Sequence, residues 1–337
     1  MKNNKNGFTL IELLIVIGII AILAVSIIIA INPGQQFAQA RDATRQGHIN
    51  SLNQAILSYM VSNHGDLSGL NLPPTPTEIC AVTSTCEGLV NLEPLLTGGH
   101  LSAIPIDPSG GTLTNGSGYR IFTYGSDPAI HASKAETRAI QIGNWSFTDP
   151  RDGNAYKTVL IGDQLWMAEN LAYLPSVNSG EDGSTTDPRY YVYGYNGTDV
   201  AEAKSQTNYT THGVLYNHPA ARVACPTGWH LPTDTEYKTL EMYLGMTQEQ
   251  ADATGWRGTD QGTKLKSGGS SGWNGLMSGY REISSEFFRH FGTHGYWWSS
   301  SVSSGNAWRR TLYSSDSTVT RGAYNQGDGY SVRCLRD

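Results

Sequence analysis

The side chains that could do chemistry are spaced against most kinds of it. His212, His218, His230, His290 and His294 form no H-x3-H pair on a helix. His290 and His294 have that spacing only across Phe291-Gly292-Thr293, where glycine makes a poor helix. The run Ser299-Ser300-Ser301 lacks the G-x-S-x-G elbow of a serine nucleophile. Asp182, Asp187, Asp316 and Asp328 fall in loops and offer oxygen ligands, but acidic turn residues are ordinarily solvated. Cys80, Cys86, Cys225 and Cys334 show no paired C-x2-C spacing. No catalytic residue, metal or cofactor is expected, and the chain is read as a non-enzyme. What remains is recognition chemistry. Trp256, Trp273, Trp297, Trp298, Trp308, Tyr280, Tyr296, Tyr313 and Tyr324 are interleaved with Arg281, Arg309, Arg310 and Arg321. Aromatic faces with arginine suit sugars, aromatics or proteins. Most are expected in the core and a minority on a ligand-binding face, assigned to Trp297, Trp298, Trp308, Arg281 and Tyr280.

One carboxylate stands apart. Residues 7 to 31 read GFTLIELLIVIGIIAILAVSIIIAI, and from Leu13 to Ile31 no residue is charged. At about 1.5 Å per residue that is nearly enough helix to cross a hydrocarbon layer of roughly 30 Å. Glu12 interrupts it near the start, with Lys2 and Lys5 upstream. An ionised carboxylate in apolar surroundings is costly unless paired, so Glu12 implies a partner.

A short basic leader, Gly7, Phe8 and Glu12 ahead of a long apolar helix resembles the type IV prepilin family, including type II secretion pseudopilins. The resemblance implies that prepilin peptidase cuts between Gly7 and Phe8, that the new amino group of Phe8 is methylated, and that subunits assemble into a helical filament. Glu12 of one subunit then neutralises the amine of its neighbour and sets the register. Such a head-to-tail contact propagates as an open fibre.

The elements that must position these groups follow in order. Phe37, Ala40, Ala43, Ile49, Leu52, Ile56, Tyr59 and Met60 recur at three and four, which predicts an amphipathic helix to Ser62, loosened at Pro33-Gly34 and capped at Gly65. A short helix is expected within 87–98. Tyr119 to Tyr124 alternates, turns through Gly125-Ser-Asp-Pro128 and continues to Ser133 as a hairpin. Leu101 to Pro108 before these strands is similar to the corresponding stretch of many pilins. Residues 137–146 read as a linker. Beyond it the composition changes: all eight tryptophans lie at or after Trp145. Strands are expected around 156–161 and 164–168, and Pro232-Thr233-Asp234 with Glu236 opens a capped helix bearing Tyr237, Leu240, Tyr243 and Leu244. The even number of cysteines beyond the apolar segment points to disulfides in an oxidising compartment, Cys80 with Cys86 and Cys225 with Cys334, free buried thiols being the alternative.

The stretches TDPRDGNAYKTVLIGDQLWMAENL, ACPTGWHLPTDTEYKTLEMYLG, TKLKS, GYRE, GYWWSSS and GYSVRCLRD together resemble the Fibrobacter succinogenes major paralogous domain over roughly 147–337. A departure is the short step from Gly272-Trp273-Asn274-Gly275 to Gly279. A cysteine just before a helix, paired with one in the last strand, is similar to the C-type lectin and sulfatase-modifying-factor folds. The Glu-Pro-Asn or Gln-Pro-Asp loop and the Trp-Asn-Asp strand of a calcium lectin do not occur.

With 23 basic against 29 acidic residues, net −6, and no basic cluster, no nucleic-acid surface is expected. The expected fold class is α+β: a long membrane and filament helix packed on a small antiparallel sheet, then a mixed strand-rich, C-type-lectin-like domain. The expected divisions are a leader at 1–7, a pilin helix at 8–62 with 8–31 transmembrane, a head at 63–136, the linker, and the paralogous domain at 147–337. The resemblances imply a pilus or pilus-like subunit, minor or at the tip, that starts in the cell membrane and ends on the surface with an adhesive module. Its partners would be other pilin subunits, prepilin peptidase, the inner membrane and an unknown glycan or protein ligand. A cargo-binding pseudopilin and a membrane-anchored surface enzyme are the alternatives.

Overall fold

The computed structural model describes residues 9–82, 85–124, 127–143, 145–285 and 287–337. The expected cleavage pair Gly7 and Phe8, the leader 1–7 and the turn residues Gly125 and Ser126 lie outside them. Helix α1 (Leu10–Ile31) starts on Thr9, whose extended backbone and hydroxyl suit a helix cap. Asn32 adopts a left-handed φ of 45°, which breaks the rod one residue before the expected kink; α2 (Pro33–Ser62) then opens on a proline whose missing N–H costs nothing in a first turn. The large apolar side chains of α1 from Leu10 to Leu23 are all exposed, from 43% at Val16 to 79% at Leu10. Among the described residues no helix is long and apolar enough to cross a membrane. The expected span 8–31 starts before those residues, and its side chains after Leu23 lie outside them.

The buried stripe of α2, Ile49, Leu52, Ala55 and Ile56, lies on an antiparallel sheet of β1 (Thr77–Cys80), β2 (Gly116–Tyr124), β3 (Asp127–Ala132) and β4 (Gln141–Gly143) in that spatial order, with α3 (Glu93–Thr97) at its side. Tyr119 and Ile121 on β2 and Ile130 on β3 face the helix. Period two sends Phe122 and Ala129 to the opposite face, where they join the core of the C-terminal module. The segment 137–146 is therefore no free linker. β4 pairs with β3, and Trp145 packs edge-on against Phe122 at 5.2 Å while its indole N–H donates to the Ile142 carbonyl at 2.8 Å. An indole of that size is worth too much buried area to leave in water. Cys80 and Cys86 are joined by a disulfide beside β1.

One buried ion cluster clamps the head to its helix. Arg45 on α2, without exposure, donates to Asp107 at 2.8 and 3.1 Å, to Asp42 at 2.8 Å, to Glu136 at 2.7 Å and to Ser109 at 3.0 Å. Asp42 in turn accepts from the Thr137 N–H and hydroxyl, each at 2.6 Å. Asp107 of the pilin-like stretch is thus the far end of the clamp.

The module has two sheets. The first runs β10 (Trp229–His230), β18 (Leu335–Arg336), β7 (Gln164–Met167), β6 (Ala155–Ile161), β5 (Ser146–Thr148). The second runs β11 (Gly255–Arg257), β16 (Val319–Tyr324), β15 (Asn306–Tyr313), β14 (His294–Ser303), β17 (Tyr330–Ser331), β9 (Leu215–Tyr216), β8 (Tyr190–Tyr191), with β12 (Ser278–Arg281) parallel to β14 and β13 (Phe288–Phe291) on β12. The helices are α4 (Val200–Ser205), α5 (Thr207–His212), α6 (His218–Ala224), α7 (Asp234–Tyr243), α8 (Gln248–Asp252) and α9 (Gln261–Leu265). The last strand lies between β10 and β7, and a Cys225–Cys334 disulfide ties it to the end of α6.

Replacing Arg45 by alanine leaves Asp42 and Asp107 buried without a cation, which costs on the order of 3–5 kcal/mol. The expected outcome is a melting temperature lower by roughly 10 °C in calorimetry.

Candidate recognition face and assembly helix

Strand parity sorts the aromatic and arginine residues onto two faces of the large sheet. On the inner face Trp297 of β14, Arg310 and Leu312 of β15, and Val319 and Arg321 of β16 look toward α7. That helix begins with a capping box, Thr233 accepting from the Glu236 N–H and Glu236 accepting from the Thr233 N–H at 2.7 Å. It carries Asp234 and Glu241 two turns apart on one side. Arg310 donates to both, at 2.8 and 2.7 Å; Arg321 grips Asp234 at 2.9 and 2.7 Å, and Arg257 of β11 grips Glu241 at 2.8 and 2.7 Å. Burial pushes the Asp234 carboxyl up, but Arg321 and Arg310 outweigh it and hold it at about 2.

Three residues assigned to a ligand face by sequence are corrected by this geometry. Trp297 and Trp298 have no exposure: the Trp297 indole donates to Asn170 Oδ1 at 2.9 Å and the Trp298 indole to the Tyr216 carbonyl at 2.8 Å. Arg281 is equally dry and donates to the carbonyls of Gly180 at 2.8 Å and Gly327 at 3.3 Å, with Tyr191 beneath it. All three serve packing because elements on both sides of the sheet cover them. Asn170, the acceptor of Trp297, is a hub. Its Oδ1 also accepts from Arg333 at 2.8 Å, and its amide nitrogen reaches Ser278 and Ser331 at 3.1 and 3.3 Å. Trp308, half-buried, stacks on Arg321 at the inner face's edge. Tyr280, half-buried, belongs to the outer side, in contact with Tyr296, Tyr330 and His290.

The outer face carries the exposed aromatics. Trp256 of β11 lies opposite Thr320, and its ring contacts Tyr313 at 4.3 Å. Tyr313 meets His294 at 3.9 Å, His294 stacks on His290 at 4.4 Å, and His290 hydrogen-bonds the Tyr296 hydroxyl at 2.6 Å. Arg309 lies over Tyr324 at 3.4 Å and Tyr296 at 4.5 Å. Burial together with Arg289 and Arg309 lowers His290, and burial together with His290 and Arg309 lowers His294, so both rings are neutral at neutral pH. The signal that marks this face in the sequence is period two: His294-x-Tyr296, Arg309-x-Thr311-x-Tyr313 and Thr320-x-Gly322-x-Tyr324.

The remaining candidate groups are occupied. Asp182 pairs with Arg189 at 2.9 Å, Asp187 lies 3.9 Å from it, Asp316 accepts from Thr318 at 2.7 and 2.6 Å, and Asp328 accepts from the Tyr330 hydroxyl at 2.8 Å. Among the described residues no three His, Cys, Asp or Glu side chains are placed to hold a metal. A cavity of about 330 Å³ lies between head and module, lined by His131, Ser133, Glu136, Tyr243 and Lys264. Another, of about 370 Å³, is lined by Tyr156, Glu169, Asn170, Tyr209 and Asn274. Glu12 is exposed on the first turn of α1, its carboxylate accepting among the described residues from Thr9, at 2.8 Å from the N–H and 2.7 Å from the hydroxyl.

A carboxyl whose folded pKa is depressed stabilises the fold above its ordinary value near 3.9 and loses that contribution as pH falls through about 2. Asp234→Asn is expected to cost on the order of 3 kcal/mol at pH 7 by leaving two guanidiniums short of charge. Its stability should change less than that of the unmodified protein between pH 4 and pH 2, which denaturant titration at each pH reads directly.

The family model of the prokaryotic N-terminal methylation motif matches residues 2–28, and that of the Fibrobacter succinogenes major domain matches residues 159–336. No curated protein and no solved structure matches the chain. The first match supports a type IV pilin or pseudopilin-like subunit, with the assembly and prepilin-peptidase processing that this implies. The second covers more than half of the 337 residues and includes α7, the large sheet and the Asn170 hub. The chain belongs to the Fibrobacter succinogenes major domain family and carries a prokaryotic N-terminal methylation motif ahead of that domain.

Proposed function

We propose that the chain is a minor or tip subunit of a type IV pilus or pilus-like filament, and that its C-terminal module is an adhesive recognition domain, not an enzyme. The observation that carries the filament half is α1, whose large apolar side chains from Leu10 to Leu23 are exposed among the described residues. Roughly 25 cal/mol per Å² of apolar surface favours covering them, first by lipid and then by neighbouring α1 helices. In the isolated subunit Glu12 is held by its own Thr9 cap. A processed Phe8 amine from the next subunit gives it a charged partner, which selects one stagger among the many that apolar packing alone allows. The subunit begins in the cell membrane and ends on the surface.

The adhesive half is supported by the exposed aromatic and arginine face of the large sheet and by the dense packing behind it, which leaves the face rigid. The closure of the module by its last strand and the Cys225–Cys334 disulfide supports a C-type-lectin-like arrangement of loops over strands. A module of this bulk is more easily placed at a filament tip than on every subunit.

Glu12→Ala is expected to lower incorporation into filaments at least tenfold in immunoblots of sheared fibres while leaving the membrane pool intact. Equal incorporation would overturn the register role. Gold labelling of the module should fall at filament ends; fibre-free cells that lose an exported enzyme on deletion of the chain would instead make it a cargo-gripping pseudopilin.

A further inference from the structure

Among the arginines of β11, β15 and β16, Arg309 is the buried guanidinium whose charge no carboxylate meets among the described residues. Its strand neighbour Arg310, on the inner face, bonds Asp234 and Glu241, and Arg321 and Arg257 share the same two acids. Arg309, 8% exposed on the outer face, has only ring contacts, with Tyr324 at 3.4 Å, Tyr296 at 4.5 Å and Tyr330 at 4.6 Å, and its Nε has no hydrogen-bond partner. The carboxylate that feels its charge, Asp328, is engaged by the Ile283 N–H at 3.0 Å and the Tyr330 hydroxyl at 2.8 Å. A cation so far withdrawn from water favours an anion that arrives from outside.

Two more unpartnered groups share that face. The hydroxyls of Thr311 and Thr320 are buried without a hydrogen bond, and the two residues stand directly opposite each other on β15 and β16. Flanking them are two exposed rings, Trp256 at 51% on one side and Tyr324 at 39% on the other. Gly322, opposite Arg309, lets Tyr324 lie back over the guanidinium; a Cβ there would come within 2.7 Å of that ring. From β11 to β14 the strip crosses three strand spacings, roughly 14 Å.

We propose that this outer face binds an acidic polysaccharide, with uronate rings lying on Trp256, Tyr313 and Tyr324, their hydroxyls exchanging hydrogen bonds with Thr311 and Thr320, and a carboxylate pairing with Arg309. The inference rests on the adhesive reading of the module and deepens it. Rings supply flat apolar area with a polar rim, which suits the C–H faces of a pyranose; the free hydroxyls suit its O–H groups; the uncompensated cation selects a uronate over a neutral sugar. A protein partner would be expected to meet a larger apolar centre than this narrow polar strip offers.

The test is affinity electrophoresis of the full chain in detergent through gels containing alginate, a polyuronate, with dextran as the neutral control. The unmodified chain is expected to be retarded by alginate and not by dextran. Arg309→Gln and Trp256→Ala should each weaken alginate binding at least tenfold. Trp256 lies exposed on an edge strand, so its variant is expected to keep the parent's melting temperature, which separates loss of binding from loss of fold. No retardation of the unmodified chain, equal retardation by dextran, or unchanged binding in both variants would overturn the proposal. If alginate binding is absent while filaments still adhere through the module, the ligand class fails and the adhesive reading stands; if alginate binding is present while deletion of the module leaves adhesion unchanged, the site stands and the adhesive reading fails.

Discussion

A guanidinium withdrawn from water is costly unless most of its N–H groups find acceptors, and that requirement organises both parts of this chain. In the head, Arg45 of α2 reaches Asp42 on its own helix, Asp107 and Glu136, so α2, the turn after residue 106 and the bend between β3 and β4 are fixed in one step. In the module, Asp234 and Glu241 of α7 hold Arg257, Arg310 and Arg321 from three strands of one sheet. Arg281 and Arg333 are held by carbonyls and by Asn170, each with one nitrogen left unpartnered. Buried pairs of this kind add little net stability over a hydrophobic replacement, yet losing one partner is costly. Their effect is to make alternative packings of the same apolar surface expensive.

The same requirement shapes the junction between the parts. The head sheet is used on both faces, by α2 on one side and by the module on the other, with Phe122, Ala129 and Trp145 continuous with the module's core. Arg120 reaches across to Asp163, the Tyr243 hydroxyl bonds the Ser133 carbonyl, and Gln141 donates to the Thr158 carbonyl at 3.0 Å. A module held this way keeps one orientation relative to α2.

The most recognisable stretches of the module turn out to build its interior. Trp297 of GYWWSSS, Arg333 of GYSVRCLRD and Asn170 of WMAENL meet in one hydrogen-bonded cluster beneath the large sheet, with Trp273 under Arg333 at 4.2 Å. Residues of that sort identify a fold because few substitutes satisfy so many bonds at once. The rings offered to solvent come from less distinctive stretches, Trp256 on β11 and Tyr324 at the end of β16.

Local pattern carried a good part of this in the sequence. The charge-free run to Ile31, broken only by Glu12, defines a segment that must find lipid or neighbours, because its residue types allow no other surroundings. Thr233 and Glu236 announce a helix start through bonds made within four residues, and the alternation from Tyr119 to Tyr124 announces a strand through period two. These are short-range matters, decided by neighbours along the chain. Which of Trp297, Trp298 and Trp256 meets solvent, that Asp107 answers Arg45 across 62 residues, and that Arg310 is neutralised while Arg309 is not, were decided only in three dimensions. Exposure and charge compensation depend on what covers each face of a strand, and that cover comes from elements far away in sequence.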